Sequence, residues 1–199
     1  MGTIKEIPAG TWASVNGLNT GRSENGAAGS ATDALCFGGR PSSSPNTNVT
    51  ESWNGTNWTE VNDANTSRKE LAGGATDNTS AIAFAGDNNS NYQATTETWN
   101  GTNWTEITET NSNKGAGGQA GTSTAGIAFA GVPPAPMATN EYWNGSSWTE
   151  LGDLNTGRRN LGSAGTVYTA AIAFGGNTIS GINDRVDSQP DTNIDRVFA

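Results

Sequence analysis

The chain has 199 residues, of which 33% are hydrophobic, with 27 glycines, seven tryptophans and a formal net charge of −9. That acidity opposes nucleic-acid phosphates and anionic lipid, so no nucleic-acid partner is expected. Histidine is absent, which removes the usual general base, proton shuttle and metal ligand, and the single cysteine, Cys36, excludes an internal disulfide or a Cys-rich zinc site.

The first eight residues, Met1 to Pro8, carry no apolar h-region, so no secretory leader is expected. No apolar run approaches the roughly 20 residues that cross a bilayer, so membrane insertion is not expected either. A short strand, Thr11-Trp12-Ala13-Ser14-Val15, comes first, and its tryptophan opens a series. Trp12, Trp58, Trp104 and Trp148 stand 46, 46 and 44 residues apart. A second marker keeps step with them: Leu35-Cys36-Phe37-Gly38-Gly39, Ile82-Ala83-Phe84-Ala85-Gly86, Ile127-Ala128-Phe129-Ala130-Gly131 and Ile172-Ala173-Phe174-Gly175-Gly176. Two markers in register over four copies define a structural repeat.

Each period reads as four short strands, a to d. A Gly/Ala-rich strand a (Gly26 to Thr32, Leu71 to Thr76, Ala116 to Thr122, Leu161 to Thr166) precedes the apolar strand b of the second marker. Strands c and d form a hairpin around Asn54-Gly55, Asn100-Gly101 or Asn144-Gly145, a dipeptide suited to a type I′ turn with positive φ at both central residues. Helical spacing with caps is missing throughout. Four antiparallel strands per 44–47 residues is the period of a propeller blade. The bulk-free a strands fit the crowded axis, and the indoles fit between blades. The prediction is a single all-β domain over residues 1–199, with repeats at about 11–57, 58–103, 104–147 and 148–199. The first repeat starts with a lone d strand, and the last ends with a tail holding two c-like candidates, Ile182 to Val186 and Thr192 to Phe198. Four blades closed by the N-terminal strand joining the C-terminal blade fit this arithmetic. Closure across molecules, giving a homo-oligomer, fits it as well.

Taken in order, Arg68, Leu71 to Thr76, Ile82 to Gly86, Trp99 and Trp104 resemble the kelch repeat, and the likeness covers nearly all of residues 11–176. It departs in having Trp where Tyr is usual, in two Ala-Gly pairs in place of Gly-Gly, and in having only four repeats. The Trp-Asn-Gly-Thr-Asn-Trp hairpins and the Asn/Thr/Gly-rich style are similar to kelch-like repeats in structural proteins of bacterial viruses, marine ones in particular. The resemblance implies a kelch-like β-propeller, the repeat count makes it a small four-bladed one, and the missing histidine leaves no enzymatic activity or cofactor expected. The copper ligands of kelch-type oxidases, His and Tyr, are not matched.

Arg22, Arg68, Lys114 and Arg158 each follow the repeat tryptophan by ten residues, at the entry of strand a. Two roles suit them. They can pair with a neighbouring carboxylate or cap loop carbonyls, or they can ring one mouth of the axial channel as an anion site, the face on which kelch adaptors contact acidic peptides. The b-to-c loops, Arg40 to Asn48, Asp87 to Gln93, Val132 to Ala138 and Asn177 onward, vary most and share that rim, with Tyr92 and Met137 their large apolar groups. Cys36 takes the slot of Ala83, Ala128 and Ala173, a packing position with no base to activate the thiol. Asp184, Asp187, Asp191 and Asp195 lack an EF-hand-like spacing and read as a solvated acidic tail. The functional expectation is a virion component (tail, fibre or capsid decoration) whose partner is a host-surface glycan or another virion protein. A cytoplasmic kelch-type adaptor for an acidic peptide is the alternative.

Overall fold

A computed structural model describes residues 14–42, 45–133 and 135–178, and the backbone of 194–196. The described residues are all-β, with one 3-10 turn at Tyr168–Ala170 and no α-helix. A short ribbon pairs β1 (Arg22–Ser23) with β4 (Arg40–Pro41). The first sheet has the order β2 (Gly26–Gly29), β3 (Ala34–Phe37), β5 (Thr50–Trp53), β6 (Trp58–Val61). The second runs β7 (Ala72–Ala75), β8 (Ala81–Phe84), β9 (Thr96–Trp99), β10 (Trp104–Ile107), and the third β11 (Gly118–Gly121), β12 (Gly126–Phe129), β13 (Asn140–Trp143), β14 (Trp148–Leu151). The fourth has three strands, β15 (Gly162–Ala164), β16 (Ile172–Phe174) and β17 (Ile194–Arg196). All these pairings are antiparallel. Of the two tail candidates, β17 falls within the second; Ile182 to Val186 lies outside the described residues, as do Thr11 to Ala13 of the expected N-terminal strand.

The c–d hairpins form in the expected register, Trp53 opposite Trp58, Trp99 opposite Trp104 and Trp143 opposite Trp148. Their turns differ from the expected type I′. Four residues, 54–57, separate the paired tryptophans, and only Gly55 has positive φ (87°). The Asn54 side chain replaces the missing backbone geometry: its Oδ1 accepts from Thr56 N at 3.0 Å and Asn57 N at 2.9 Å.

Indoles bind sheet to sheet. Trp104 meets Phe37 of the first sheet edge-on at 5.0 Å and donates from Nε1 to Thr50 Oγ1 at 3.0 Å. Trp148 repeats both contacts on the second sheet, with Phe84 at 5.0 Å and Thr96 Oγ1 at 3.2 Å. Each large ring thus buries its apolar body and satisfies its one donor. Between the third and fourth sheets the core continues through Ile127, Phe129, Ala171 and Ala173. On the far side the fourth sheet is open among the described residues: Phe174 is 42% exposed, whereas its counterparts Phe37, Phe84 and Phe129 are buried.

The inner strands β2, β7, β11 and β15 together line one cavity of about 390 Å³. Crowding at this shared centre explains Gly74, where an added Cβ would lie 2.8 Å from Gly121 O. At Gly26, Gly118 and Gly162 the cause is different. A Cβ there would come within 2.3–2.4 Å of the rings of Phe37, Phe129 and Phe174, the cross-strand partners in β3, β12 and β16. Glycine therefore serves both the shared centre and the phenylalanine shelf.

After each b strand the chain takes two left-handed residues, which turn it out of the sheet. Gly38 and Gly39 do this in the first repeat (φ 62° and 97°), Ala85 and Gly86 in the second (61° and 103°). Alanine in this region carries a penalty of roughly 1–2 kcal/mol that glycine escapes, partly offset by glycine's freer unfolded chain. Ala85→Gly should therefore stabilise the fold by about 0.5–1 kcal/mol in urea unfolding; a loss of stability would show that the methyl group is needed.

Candidate functional site

Where the first sheet meets the second, the repeat builds a polar clamp. After β6 the chain crosses to the second sheet, where Asn62 Nδ2 donates to Thr102 O at 2.9 Å and to Asn103 Oδ1 at 2.8 Å. Three residues on, Asn65 donates to Glu97 Oε2 from its backbone N (2.7 Å) and from Nδ2 (2.9 Å). Three more residues bring Arg68, whose Nη2 meets Glu97 Oε1 at 2.7 Å and whose Nη1 donates to the carbonyls of Ala85 and Thr95 at 2.7 and 2.8 Å. Both charged side chains are fully buried. The backbone ties in too: Gly39 N of the first repeat donates to Arg68 O at 2.7 Å.

Burial pulls the Arg68 guanidinium below its ordinary value, while the Glu97 carboxylate beside it pushes back. A buried charge is tolerated only when paired and hydrogen-bonded, and here the carboxylate accepts three donors.

The other expected cations sit in the same place. Arg22 Nη2 meets Glu51 Oε1 at 2.9 Å with both side chains fully buried, and Asn19 N donates to Glu51 Oε2 at 2.7 Å. Arg22 is held less well, since its Nε and Nη1 find no hydrogen-bond partner. Lys114 pairs with buried Glu141, whose other oxygen accepts from Asn111 N at 2.6 Å. Arg158 is fully buried, and its Nη1 donates to Gly175 O at 3.2 Å. Of the two roles open to these cations, pairing with carboxylates and loop carbonyls is what their geometry performs. Asp195 in β17 stands opposite Ala173, the register position that Glu51, Glu97 and Glu141 hold opposite Cys36, Ala83 and Ala128. Cys36 is buried in this layer, and desolvation pushes its thiol up.

The three glutamates were not singled out by sequence reasoning, although their signal is plain in retrospect. Each lies two residues before the c-strand tryptophan, at 46- and 44-residue intervals matching those of the cations, as does the asparagine three residues before each cation. A charge repeated in strict register on an otherwise apolar or Thr-rich strand marks a buried partner.

Beyond the cations the chain enters the centre through a second repeated feature. Glu24, Glu70, Ala116 and Asn160 all hold φ between 51° and 58°. Their backbones join head to tail, Glu70 N to Glu24 O (2.8 Å), Ala116 N to Glu70 O (3.0 Å) and Asn160 N to Ala116 O (2.7 Å). Around them lies a cavity of about 180 Å³ bordered by Glu24, Glu70 and Asn160. In place of a basic ring, this mouth shows Glu24 and Glu70, with Lys69 3.7 Å from Glu24 and 3.5 Å from Asp87, and Arg40 3.0 Å from Glu24. Desolvation raises the Glu70 carboxyl, with Glu24 and Asp87 adding to the rise and Lys69 opposing it.

Tyr92, the fifth expected rim residue, stands apart from the cations, half-buried in a cleft of about 400 Å³ between the second and third sheets' b-to-c loops. Among the described residues no cluster of His, Cys, Asp or Glu is arranged for a metal ion, and no helix is long and apolar enough to cross a membrane. Compared with known proteins, the chain matches no family model and no curated protein.

Two measurements probe these charges. Asn65→Ala should cost about 1.5–3 kcal/mol through the lost side-chain hydrogen bond to a carboxylate. Asn65→Asp should cost more at pH 7, because it sets a second carboxylate against Glu97, and the excess should vanish once that aspartate is protonated near pH 3; equal losses for both variants at pH 7 would contradict the clamp. A Glu70 carboxyl raised in the fold loses stability as pH climbs through its unfolded and then its folded value. Glu70→Gln should raise the melting temperature at pH 7 and leave it nearly unchanged at pH 4, whereas equal shifts at both would place the cause elsewhere.

Proposed function

We propose that the four sheets are the blades of a closed kelch-like propeller, and that the protein is a non-enzymatic binding and structural module of a virion, at a tail, fibre or capsid-decoration position. One observation carries the ring. Asn16 Nδ2 donates to Thr56 O (3.0 Å) and Asn57 Oδ1 (2.7 Å), and Asn19 and Arg22 grip Glu51, as Asn62, Asn65 and Arg68 grip the second sheet. In the second and third repeats that clamp directly follows the outer strand of the preceding sheet. Residues 11–15 therefore suit the outer edge of a sheet lying before the first, and the three-stranded fourth sheet is the one with that edge to fill.

The module reading draws on where the ionisable groups go. The repeated cations and glutamates are consumed in the junctions, and what differs between repeats is the b-to-c loops, which suits a scaffold that displays loops. The Trp-Asn-Gly-Thr-Asn-Trp hairpins that resemble virion repeats give the location, with a host-surface glycan or a neighbouring virion protein as partner. An adaptor taking an acidic peptide on its basic ring would need those cations at the surface, and their burial argues against it.

Particles banded on a density gradient from a culture carrying the gene should contain the chain, and the purified chain should run in solution as a monomer of 20.4 kDa. A chain confined to the soluble cellular fraction would overturn the virion reading. A dimer or larger ring would move the closing strand onto a neighbouring copy.

A further inference from the structure

The cleft beside Tyr92 is built differently from the rest of the surface. Its walls come from Asp87, Asn89, Asn91 and Tyr92 of one loop, Asn113 ahead of the third sheet, and Pro133 of the next loop. No other b-to-c loop carries an aromatic residue. The tyrosine is held in place: its ring rests on Gly115 so closely that a Cβ there would lie 2.6 Å from Cδ1 and Cε1, and its hydroxyl lies 3.5 Å from Glu70 Oε2. The loop is braced from within, Asp87 Oδ1 accepting from Asn89 N at 2.8 Å and Asn88 Oδ1 from Ser90 N and Asn91 N at 3.0 and 2.9 Å. The side-chain amides of Asn89, Asn91 and Asn113 are left exposed, with no intramolecular hydrogen bond among the described residues.

We propose that this cleft is a binding subsite for a neutral saccharide unit. A pyranose offers an apolar C–H face suited to an aromatic ring, and hydroxyls that both donate and accept. Side-chain amides, each with two donors and an acceptor, match those hydroxyls. A volume of about 400 Å³ lies within the range of small-molecule sites and accommodates one or two sugar rings. Charge narrows the class: the Glu70 and Asp87 carboxylates each act on Tyr92 more strongly than the Arg159 guanidinium does, so an anionic sugar or acidic peptide meets net repulsion. The inference rests on the surface-binding reading above and adds the ligand class and its place.

Saturation-transfer NMR on the intact protein, with the methyl glycosides of glucose, galactose, mannose and N-acetylglucosamine as probes, tests it. Transfer to at least one glycoside is expected, weakened about tenfold by Tyr92→Ala, reduced by Asn113→Ala, and retained in Tyr92→Phe. Ser146→Ala, on a remote hairpin tip, should leave it unchanged, and melting curves of every variant establish that each is folded. Absence of transfer to all four probes, preference for N-acetylneuraminic acid over them, or equal transfer in Tyr92→Ala would overturn the inference. If that happens while the chain is found in particles, the saccharide site falls alone; glycoside binding by a chain absent from particles would keep the cleft and remove the virion reading.

Discussion

The structure depends on a charge pair that water does not reach. Taking an arginine and a glutamate out of water costs several kcal/mol per ion, and their attraction offsets this only if the remaining lone pairs and protons are also satisfied. The second sheet largely meets that condition: Glu97 accepts from Asn65 twice and from Arg68, and Arg68 caps the carbonyls of Ala85 and Thr95, leaving only its Nε without a partner. Because the asparagine and the cation arrive on the segment leaving the previous sheet, the pair also fixes where one sheet sits on the next. Apolar contact between Trp104 and Phe37 supplies much of the burial but little angular restraint. The clamp supplies the register.

This division of labour accounts for a chain so poor in aliphatic residues. The core is made of a few rings, Phe37, Phe84, Trp104 and Trp148, fitted over glycine and alanine, so a modest apolar fraction suffices where packing is close. Polar junctions do the aligning, and each b-to-c loop shares a backbone bridge at its start (Arg40 with Ser23, Asp87 with Lys69, Val132 with Gly115, Asn177 with Arg159), beyond which its residues vary. Tyr92 is the clearest product of that freedom, held by Gly115 and facing a cleft.

Much of the fold was legible because two markers recur at a fixed interval, and the strands they define appear where the alternation puts them. The tight turn was misread at Asn54-Gly55 because Asn-Gly signals a hairpin without fixing its length; a side-chain oxygen substitutes for the second positive φ. The glycines were traced to the axis alone, since sequence does not reveal that a phenylalanine lies across from Gly26 or Gly118. The register of the cations was legible in the repeat spacing but their partners were not, because Glu51, Glu97 and Glu141 lie far along the chain and meet Arg22, Arg68 and Lys114 only once the sheet is formed. The Tyr92 cleft joins two loops and Asn113, a neighbourhood that no local pattern encodes.

A double-mutant cycle on Arg68 and Glu97, read by urea unfolding, asks most directly whether the clamp organises the molecule. If it does, Arg68→Met and Glu97→Leu each cost about 3–5 kcal/mol, and the double variant recovers much of that loss because neither charge is left stranded. Single losses below about 1 kcal/mol, or a double variant whose loss is the plain sum of the two, would contradict it.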